Sequence, residues 1–374
     1  MKIIGPIAGT GTRLRPFTFK KPKAFIKVAG KPVLDHILNK LKETFDTGTE
    51  LILIVSYKKE QIIDYISKNY SKDFKLTFIE QIPRGFDGDV PYYWGLGEAI
   101  YLAKEQFNFQ EDDLNKKSIN EKKDGCLIFL GDMVLLDEYS YILYRYYESD
   151  VDGIITVMRV PKEEASSYGI VSVDDNMIIK NLDEKPKEFI SDLAIAGIYA
   201  FSRKTTKALF NNIKNYLDNK SETSGEIYMT PALQDLIDQN YKIAAVELKK
   251  GILDFGRTTE LLKGNRYILE HMVQINEKSP TQYGNFKYSV INSPVNIEEN
   301  TEITHSIIGP YVSIGKNCKL KKCILKNCII EDGAYLSNII TENSIIGSYV
   351  KIDNLSKDNL MIGDKCQLVL NNDK

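Results

Sequence analysis

Residues 6–27 read PIAGTGTRLRPFTFKKPKAFIK and follow an apolar opening of the chain. This stretch decides the fold, because a strand that runs into Ala-Gly-Thr-Gly-Thr places backbone N–H groups at the carboxyl edge of a sheet. A phosphate can approach these groups closely, since Gly9 and Gly11 carry no Cβ atom. Arg13 and Lys23 bring positive charge to the same place. The stretch therefore predicts a binding site for a triphosphate.

The common glycine motifs do not describe this stretch. A Rossmann G-x-G-x-x-G needs glycine where Leu14 stands, and a P-loop needs Gly-Lys-Ser/Thr after four spacers. A tight turn with solvated basic residues would account for a lone G-x-G. The full string, however, resembles the signature of sugar-1-phosphate nucleotidylyltransferases, G-x-G-T-R-L/M-x-P-x-T followed by Pro-Lys. It is most similar to the bacterial UTP–glucose-1-phosphate uridylyl type, and Thr10 departs from the double glycine of thymidylyl and guanylyl members.

The resemblance assigns roles within the stretch. It implies nucleotide binding by four residues, Ala8, Gly9, Gly11 and Thr12. It also implies catalytic roles for Arg13, which would serve the leaving pyrophosphate, and for Lys23, which would neutralise the phosphates being joined. The attacking sugar phosphate is largely a dianion at neutral pH, with a second pKa of about 6, so the reaction needs no general base. It needs Mg²⁺ and well-placed cations.

The composition of the chain indicates which binding partners and which cellular location to expect. Lys and Arg number 49 against 51 Asp and Glu, so we expect no nucleic-acid partner. The five cysteines have no paired spacing and the chain has only three histidines, which argues against a zinc site. The sequence shows neither a leader pattern nor an 18-residue apolar run. We therefore expect a cytoplasmic protein with no membrane contact.

The chain organisation predicts two domains and a helical connection. Up to about residue 250, apolar strands such as 51–55 and 126–130 alternate with amphipathic helical stretches. This rhythm predicts an α/β domain, a Rossmann-like and mainly parallel sheet with helices on both faces. Ligands of such a sheet bind beyond the carboxyl ends of its strands. We place this domain at 1–257 and a linker helix at 258–285.

The last part of the chain, 286–374, changes period. Apolar residues recur every 15 to 17 positions in three columns: Ile297, Ile314, Ile330 and Ile346; Ile303, Leu320, Leu336 and Ile352; Ile308, Leu325 and Ile340. Ordinary antiparallel strands give no reason for this step. It predicts a left-handed parallel β-helix of hexapeptide type. Tyr311, Tyr335 and Tyr349 recur at similar places, so we expect one tyrosine stripe and a homo-oligomer built through it.

Two acids follow apolar segments and precede or flank glycine. Asp132 follows the strand that ends near Gly131, and Asp254 lies in Leu-Asp-Phe-Gly. Each alone is typical of a turn or a helix N-cap. The resemblance implies that together they bind Mg²⁺.

Further motifs match the sugar pocket of the resembled family in its order. Glu184 and Lys185 open an E-K-P triplet, which implies contacts to the sugar and its phosphate, and Lys185 is expected to be catalytic. Three more residues are expected in the sugar pocket: Gly169, Gly197 and Thr230. Pro231 stands where the family usually has Asp.

The base would be read by Gln81 together with the backbone of Gly95 and Leu96. A Gln amide offers a donor and an acceptor, which complements the imide edge of uracil or thymine. Fourteen positions separate Gln81 from Gly95, more than the family usually needs. That extra loop, with the single Trp94, is either a lid or a surface insertion.

The expected activity is the synthesis of UDP- or dTDP-glucose from a nucleoside triphosphate and a hexose 1-phosphate. Mannose-1-phosphate guanylyltransferase is the alternative, because several of those enzymes carry a β-helix. A silent regulatory subunit that senses a sugar nucleotide is the alternative of another class, although the charged set from Arg13 to Asp254 is intact. Acyl transfer in the tail, suggested by His305, is a third possibility.

Overall fold

The fold is that of a computed structural model, which describes residues 1–109, 122, 124–219, 225–272 and 284–369. The chain divides into two compact units. The first comprises Met1–Thr10 and Ile37–Ile252, and the second Gly11–His36 and Leu253–Lys374. The sequence-based boundaries at 257 and 285 stay a prediction. The division differs from them chiefly in grouping residues 11–36 with the C-terminal part.

The helices of the described residues are α1 Val33–Thr44, α2 Lys59–Tyr70, α3 Leu96–Leu102, α4 Tyr139–Glu148, α5 Arg203–Asp218, α6 Met229–Asp238 and α7 Thr258–Met272. The strands are β1 Lys2–Pro6, β2 Lys27–Val28, β3 Lys31–Pro32, β4 Thr49–Val55, β5 Phe74–Glu80, β6 Gly85–Asp87, β7 Val90–Tyr92, β8 Cys126–Ile128, β9 Met133–Leu135, β10 Gly153–Arg159, β11 Gly169–Val173, β12 Ile179–Glu184, β13 Leu193–Phe201, β14 Ile243–Glu247, β15 Ile252–Asp254, β16 Gly284–Lys287, β17 Val290–Ile291, β18 Val295–Ile297, β19 Thr301–Thr304, β20 Ile307–Ile308, β21 Val312–Ile314, β22 Lys319–Ile330, β23 Tyr335–Ile346, β24 Lys351–Ser356, β25 Met361–Ile362 and β26 Gln367–Val369.

The first unit is built on a sheet of nine strands within the described residues. Its main path runs β12-β11-β13-β8-β1-β4-β5, and β10 pairs with both β13 and β14. Strands β8, β1, β4 and β5 are mutually parallel, whereas β13 is antiparallel to β8, β10 and β11. The α/β fold class is confirmed, with a mixed sheet in which the parallel part is the half that begins at β8.

Burial on both faces explains why the parallel strands are continuous apolar runs. In β4, Ile52 and Ile54 join a core cluster that includes residues of α3, α5 and α6. Leu51 and Leu53, which point to the opposite face, are also fully buried. One-sided strands would alternate with polar residues, so the sequence pattern follows from the two-sided cover.

The carboxyl ends of the parallel strands define the edge at which chemistry is expected. β1 ends at Pro6, β5 at Glu80 and β8 at Ile128, and the three strands run in the same direction. Gly131 N–H donates to the Pro6 carbonyl at 3.3 Å, so the turn after β8 lies beside the end of β1. This edge therefore carries Ala8, Gln81 and Asp132.

The second unit contains the predicted parallel β-helix. Ile297 pairs with Ile314, which pairs with Ile330 and onward with Ile346, so the first column is in register. The second column, from Ile303 to Ile352, is equally in register. Both columns lie in one buried cluster. The period in the sequence is therefore the length of one turn of the β-helix.

The third column was assigned wrongly at its last member. Leu325 pairs with Thr341, whereas Ile340 pairs with Ile324 and is 50% exposed. Thr341 can occupy the interior because its hydroxyl donates to the Lys357 carbonyl at 2.6 Å and lies 2.6 Å from the Ser344 hydroxyl. A satisfied polar group thus replaces the expected apolar one.

The corners of the turns use left-handed backbone, which explains their asparagines. Asn317, Asn327 and Asn338 all have positive φ, and asparagine tolerates this region better than most residues. The tyrosine stripe is wrong. Tyr335 lies on a strand and pairs with Lys319 and Lys351, while Tyr311 and Tyr349 occupy corners.

A helix lies in the first part of the predicted linker, whose bounds stay a prediction. α7 starts at Thr258 and is described as far as Met272. The part of the predicted linker between 273 and 283 lies outside the described residues. No helix in the described part of the chain is long and apolar enough to cross a bilayer.

Candidate active site

The signature stretch folds back on itself after Gly11, so that Gly11 and Lys23 come together. Gly11 has φ of 67°, and its carbonyl accepts from the Thr18 hydroxyl at 2.8 Å and from Leu14 N–H at 2.9 Å. A Cβ at Gly11 would lie 2.8 Å from Thr18 Cγ2 and 3.1 Å from Lys23 Cβ. The backbone of Lys23 is therefore held beside Gly11, and a larger residue at 11 would separate them.

The residues next to Gly11 are available to a ligand. Thr12 and Arg13 are exposed on a short turn, and Leu14 is fully buried and anchors it. In the first unit, Gly9 is exposed, and a Cβ there would meet no atom within 4 Å. Ala8 is buried at the end of the same segment. Packing does not require glycine at 9, which is consistent with a ligand requirement.

Each predicted metal ligand lies in a turn of its own unit. Asp132 is half-buried and follows Gly131, where a Cβ would lie 2.3 Å from Ile7 Cγ2. Asp254 is exposed, and its Oδ1 accepts from Gly256 N–H at 2.7 Å, an Asx turn. Within the described ranges, no three His, Cys, Asp or Glu side chains form a metal-binding group. Their role as ligands stays a prediction.

Three of the residues predicted for the sugar meet in the first unit. Thr230 donates its hydroxyl to Glu184 Oε2 at 2.6 Å. A Cβ at Gly169 would lie 3.2 Å from both Thr230 Oγ1 and Glu184 Oε2. Pairing of β11 with β12 sets Gly169 opposite Glu184, and α6 begins just before Thr230. Three separate motifs therefore build one polar wall.

Lys185 and Gly197 extend this wall. Lys185 has φ of 53°, its Nζ lies 3.6 Å from Glu184 Oε1, and it lies 4.8 Å from the centre of the Tyr228 ring. Gly197 has φ of 76°, and a Cβ there would lie 2.7 Å from Met133 Sδ. Because Met133 follows Asp132, Gly197 lies next to the turn that carries this acid.

Gln81, the residue predicted to recognise the base, is hydrogen-bonded to a carboxylate that was not predicted from the sequence. Glu98 is 2% exposed and accepts from Gln81 Nε2 at 2.8 Å, from Arg84 Nε at 2.7 Å and from Trp94 N–H at 3.1 Å. Gln81 itself is 3% exposed. An acid that directly follows Gly97 in the first turn of a helix was the available signal, and it fits the helix dipole.

The segment of Gly95 and Leu96 lies beside the polar wall of Gly169, Glu184 and Thr230. Trp94 C=O accepts from Ile227 N–H at 2.7 Å, and Ile227 C=O accepts from Gly97 N–H at 2.9 Å. Gly95 has φ of 91°, a conformation that favours glycine. Because Ile227 lies two residues before the start of α6, the base and sugar segments are hydrogen-bonded neighbours. The loop before them forms the hairpin of β6 and β7.

Two family descriptions match the chain. Residues 7–271 match "Nucleotidyl transferase", and residues 275–338 match "GlmU-like, C-terminal hexapeptide". The first match covers more than half of the chain. Together they confirm the resemblance and the two-part architecture.

Curated relatives agree with these matches. A "Bifunctional protein GlmU" of Methanocaldococcus jannaschii is 33% identical over 264 residues, which is 70% of this chain but only 53% of the relative. A protein of the same name from Methanococcus aeolicus is 30% identical over 94% of this chain and 80% of its own length. A "Glucose-1-phosphate thymidylyltransferase" of Streptomyces griseus is 25% identical over 97% and 98%.

A solved structure supports the fold. It is titled a putative glucose-1-phosphate thymidylyltransferase from Bacillus anthracis in complex with a sucrose, and it matches with a TM-score of 0.55. The match covers 71% of this chain and 94% of that chain at 21% identity.

Proposed function

Because the chain belongs to the nucleotidyl transferase family, we propose that it joins a nucleoside triphosphate to a hexose 1-phosphate and releases pyrophosphate. We favour UTP or dTTP as the nucleotide and glucose 1-phosphate as the sugar. The observation that carries the proposal is the wall of Gly169, Glu184 and Thr230, because three distant motifs meet there with a carboxylate that can accept from sugar hydroxyls. The name of the Streptomyces griseus relative agrees with it.

The proposed reaction requires the protein to position charged groups, and it requires no proton transfer. A phosphate oxygen of the sugar attacks the α-phosphorus, and the bond to the β-phosphate oxygen breaks as pyrophosphate leaves. Arg13, exposed at the signature turn, serves the leaving pyrophosphate. Lys23 and Lys185 neutralise the phosphates being joined.

The donor set fits Mg²⁺, which typically binds through one or two carboxylates and completes its coordination with substrate phosphates. Asp132 and Asp254 would hold the ion, and the turn hydrogen bond from Gly256 N–H to Oδ1 orients the carboxylate of Asp254. When bound, the ion would neutralise charge on the triphosphate.

The orientation of Gln81 supports a base with an imide N–H. Glu98 only accepts hydrogen bonds, so the amide nitrogen of Gln81 must face it. Gln81 Oε1 then remains as the free acceptor, and no described residue donates to it. An acceptor matches the N3–H of uracil or thymine and rejects the N3 acceptor of cytosine. Guanine also offers a ring N–H, so the guanylyl alternative stays open on this point.

A panel of turnover measurements tests the function. Pyrophosphate release is measured for ATP, CTP, GTP, UTP and dTTP with glucose and mannose 1-phosphates. We expect the highest kcat/KM with UTP or dTTP and glucose 1-phosphate. Dominant turnover of GTP with mannose 1-phosphate would favour the alternative. Tight binding of a sugar nucleotide without any turnover would indicate the regulatory subunit.

A matched pair of variants tests the base assignment. Glu98→Gln lets the Gln81 amide rotate, so discrimination of UTP over CTP should fall by about tenfold, the equivalent of one hydrogen bond. Glu105→Gln, an exposed change in the same region, should leave the ratio unchanged. An unchanged ratio in Glu98→Gln would remove Gln81 from base recognition.

We also propose a homo-oligomer, now through a different surface. Val290, Ile307, Ile324 and Ile340 pair in register across successive turns, and each is more than 40% exposed. A second copy of this face would cover a flat apolar ladder. Light scattering of the full chain and of Ile324→Lys should show a smaller particle for the variant; equal masses would exclude this ladder. The cytoplasmic location stays a prediction.

A further inference from the structure

The signature stretch belongs, from Gly11 onward, to the same compact unit as the β-helix. Residues 11–36 have little regular structure of their own, apart from three single 3₁₀ turns, the short strands β2 and β3 and the start of α1. Side chains of this stretch reach acids that follow Ile297, Ile330 and Ile362, on every second turn of the β-helix. These contacts join residues that are more than 270 positions apart in the chain.

Lys27 makes the most extensive of these contacts. Its Nζ lies 2.8 and 2.9 Å from the two oxygens of Asp332 and 3.2 and 3.3 Å from those of Glu298. Burial lowers the pKa of Lys27, but the hydrogen bond to Asp332 and the two carboxylate charges outweigh it, so the pKa is raised. Burial raises the pKa of Glu298, and the charge of Lys27 only partly offsets this. One cation thus joins two turns of the β-helix.

Lys21 makes a second contact of the same kind. It donates to Glu331, which is 2% exposed, and its Nζ lies 3.3 Å from Asp364 Oδ1. Ser348 donates its hydroxyl to the same Glu331 oxygen at 2.9 Å. The carboxylate of Glu331 therefore orients Lys21 from inside the β-helix.

Uncharged contacts fix the ends of the stretch. Ala29 N–H donates to Asn265 Oδ1 at 2.9 Å, and the Ser313 hydroxyl donates to the same oxygen at 2.6 Å. At the other end, a Cβ at Gly363 would lie 2.9 Å from Pro16 Cβ, which indicates close packing. The stretch is therefore held at both ends as well as at its two lysines.

We propose that the β-helix is a positioning scaffold for residues 11–27 of the triphosphate-binding stretch, with Lys21 and Lys27 as positioning residues. They stand two residues before and four residues after Lys23, so they fix its backbone from both sides. Arg13 lies three residues before the packed Pro16. The inference rests on the proposed function, because it assigns the benefit to phosphate-binding cations. Catalysis by positioned charge is sensitive to displacements of about 1 Å.

Net stability does not explain this arrangement well. Partly buried ion pairs contribute little net stability, since desolvation of the charges offsets their attraction. Two acids arranged around each of two lysines, however, define one register of the stretch along the β-helix. A conformational role accounts for charges where apolar residues would pack at lower cost.

The full-length protein provides the test. Asp332→Asn removes the charge opposite Lys27 but keeps an oxygen that can accept from Lys316 N–H, which now donates to Asp332 at 2.9 Å. Glu342→Gln is the matched control, because Glu342 pairs with Lys326 at 3.1 Å on the β-helix. Kinetics, thermal unfolding and hydrogen–deuterium exchange of peptides from residues 11–26 are measured for both.

We expect Asp332→Asn to lower kcat/KM for the nucleotide by about tenfold, to leave KM for the sugar phosphate unchanged, and to speed exchange in 11–26. Lys27→Arg should retain activity, and the control should match the wild type. Unchanged exchange in Asp332→Asn, or a loss shared equally by Glu342→Gln, would overturn the scaffold. If the wild type transfers no nucleotide, the proposed function fails, while the exchange measurement still decides the scaffold.

Discussion

The hydroxyl of Thr230 allows a test of whether the polar wall of Gly169, Glu184 and Thr230 binds the sugar. Thr230→Val keeps the shape of the side chain and removes only the donor that contacts Glu184 Oε2 at 2.6 Å. Thr230 is buried, so water is poorly placed to replace the lost hydroxyl. Glu184 would keep its charge but lose the contact that orients it beside Gly169.

The size of the expected rise in KM follows from the charge of the hydrogen-bond partner, the carboxylate of Glu184. A hydrogen bond to a charged group contributes about 1.5–3 kcal/mol, and the half-buried Glu184 places this one at the lower end. About 1.4 kcal/mol corresponds to a factor of ten. We therefore expect KM for the sugar 1-phosphate to rise about tenfold, with KM for the nucleotide unchanged. Initial rates of pyrophosphate release at varied sugar phosphate measure both.

Thr230→Ser is the control, because it retains the hydroxyl and loses only a methyl group. It should resemble the wild type in both KM values. Equal sugar KM values for Val and Thr would refute the reasoning, and so would a change confined to the nucleotide KM. Either result would take the Glu184–Thr230 pair out of the sugar site.

Three further predictions concern charge and thiols. Asp254→Asn should lower kcat on the order of 10²-fold with unfolding unchanged, and a fully active variant at low Mg²⁺ would exclude it as a ligand. Arg13→Ala should lower kcat more than it raises the sugar-phosphate KM, whereas Lys185→Ala should chiefly raise that KM; the reverse pattern would mean exchanged roles. Of the five cysteines, only Cys366 is exposed, and burial raises the pKa of the others to about 11 or 12, so a thiol reagent at pH 8 should label one site in the native protein and five after unfolding. Rapid native labelling of more than one thiol would contradict the burial of the β-helix interior.

The β-helix could be predicted because its period is a property of the sequence itself. Two columns, from Ile297 and from Ile303, required only that apolar residues recur at the length of one turn. The third column failed at Ile340 because neighbouring residues on a strand face opposite sides, so an error of one position exchanges inside for outside. A buried Thr341 gave no apolar signal.

Some features of the candidate site could be predicted from local motifs, whereas others depend on contacts between distant parts of the chain. Gly169, Glu184 and Thr230 could be named from short motifs, and the structure brings them together. Glu98 was missed because a buried acid at the start of a helix has no distinctive pattern. The contacts of Lys27 with acids 271 and 305 residues away could not be predicted, since no local pattern records such a pairing.

The most direct test of the account is ³¹P NMR of the full chain with UTP, glucose 1-phosphate and Mg²⁺. Attack on the α-phosphorus predicts loss of both substrate signals together, with pyrophosphate and a sugar diphosphate nucleotide appearing in equal amounts. dTTP should behave in the same way. Unchanged spectra with all five nucleotides and both sugar phosphates, or release of inorganic phosphate alone, would contradict nucleotidyl transfer.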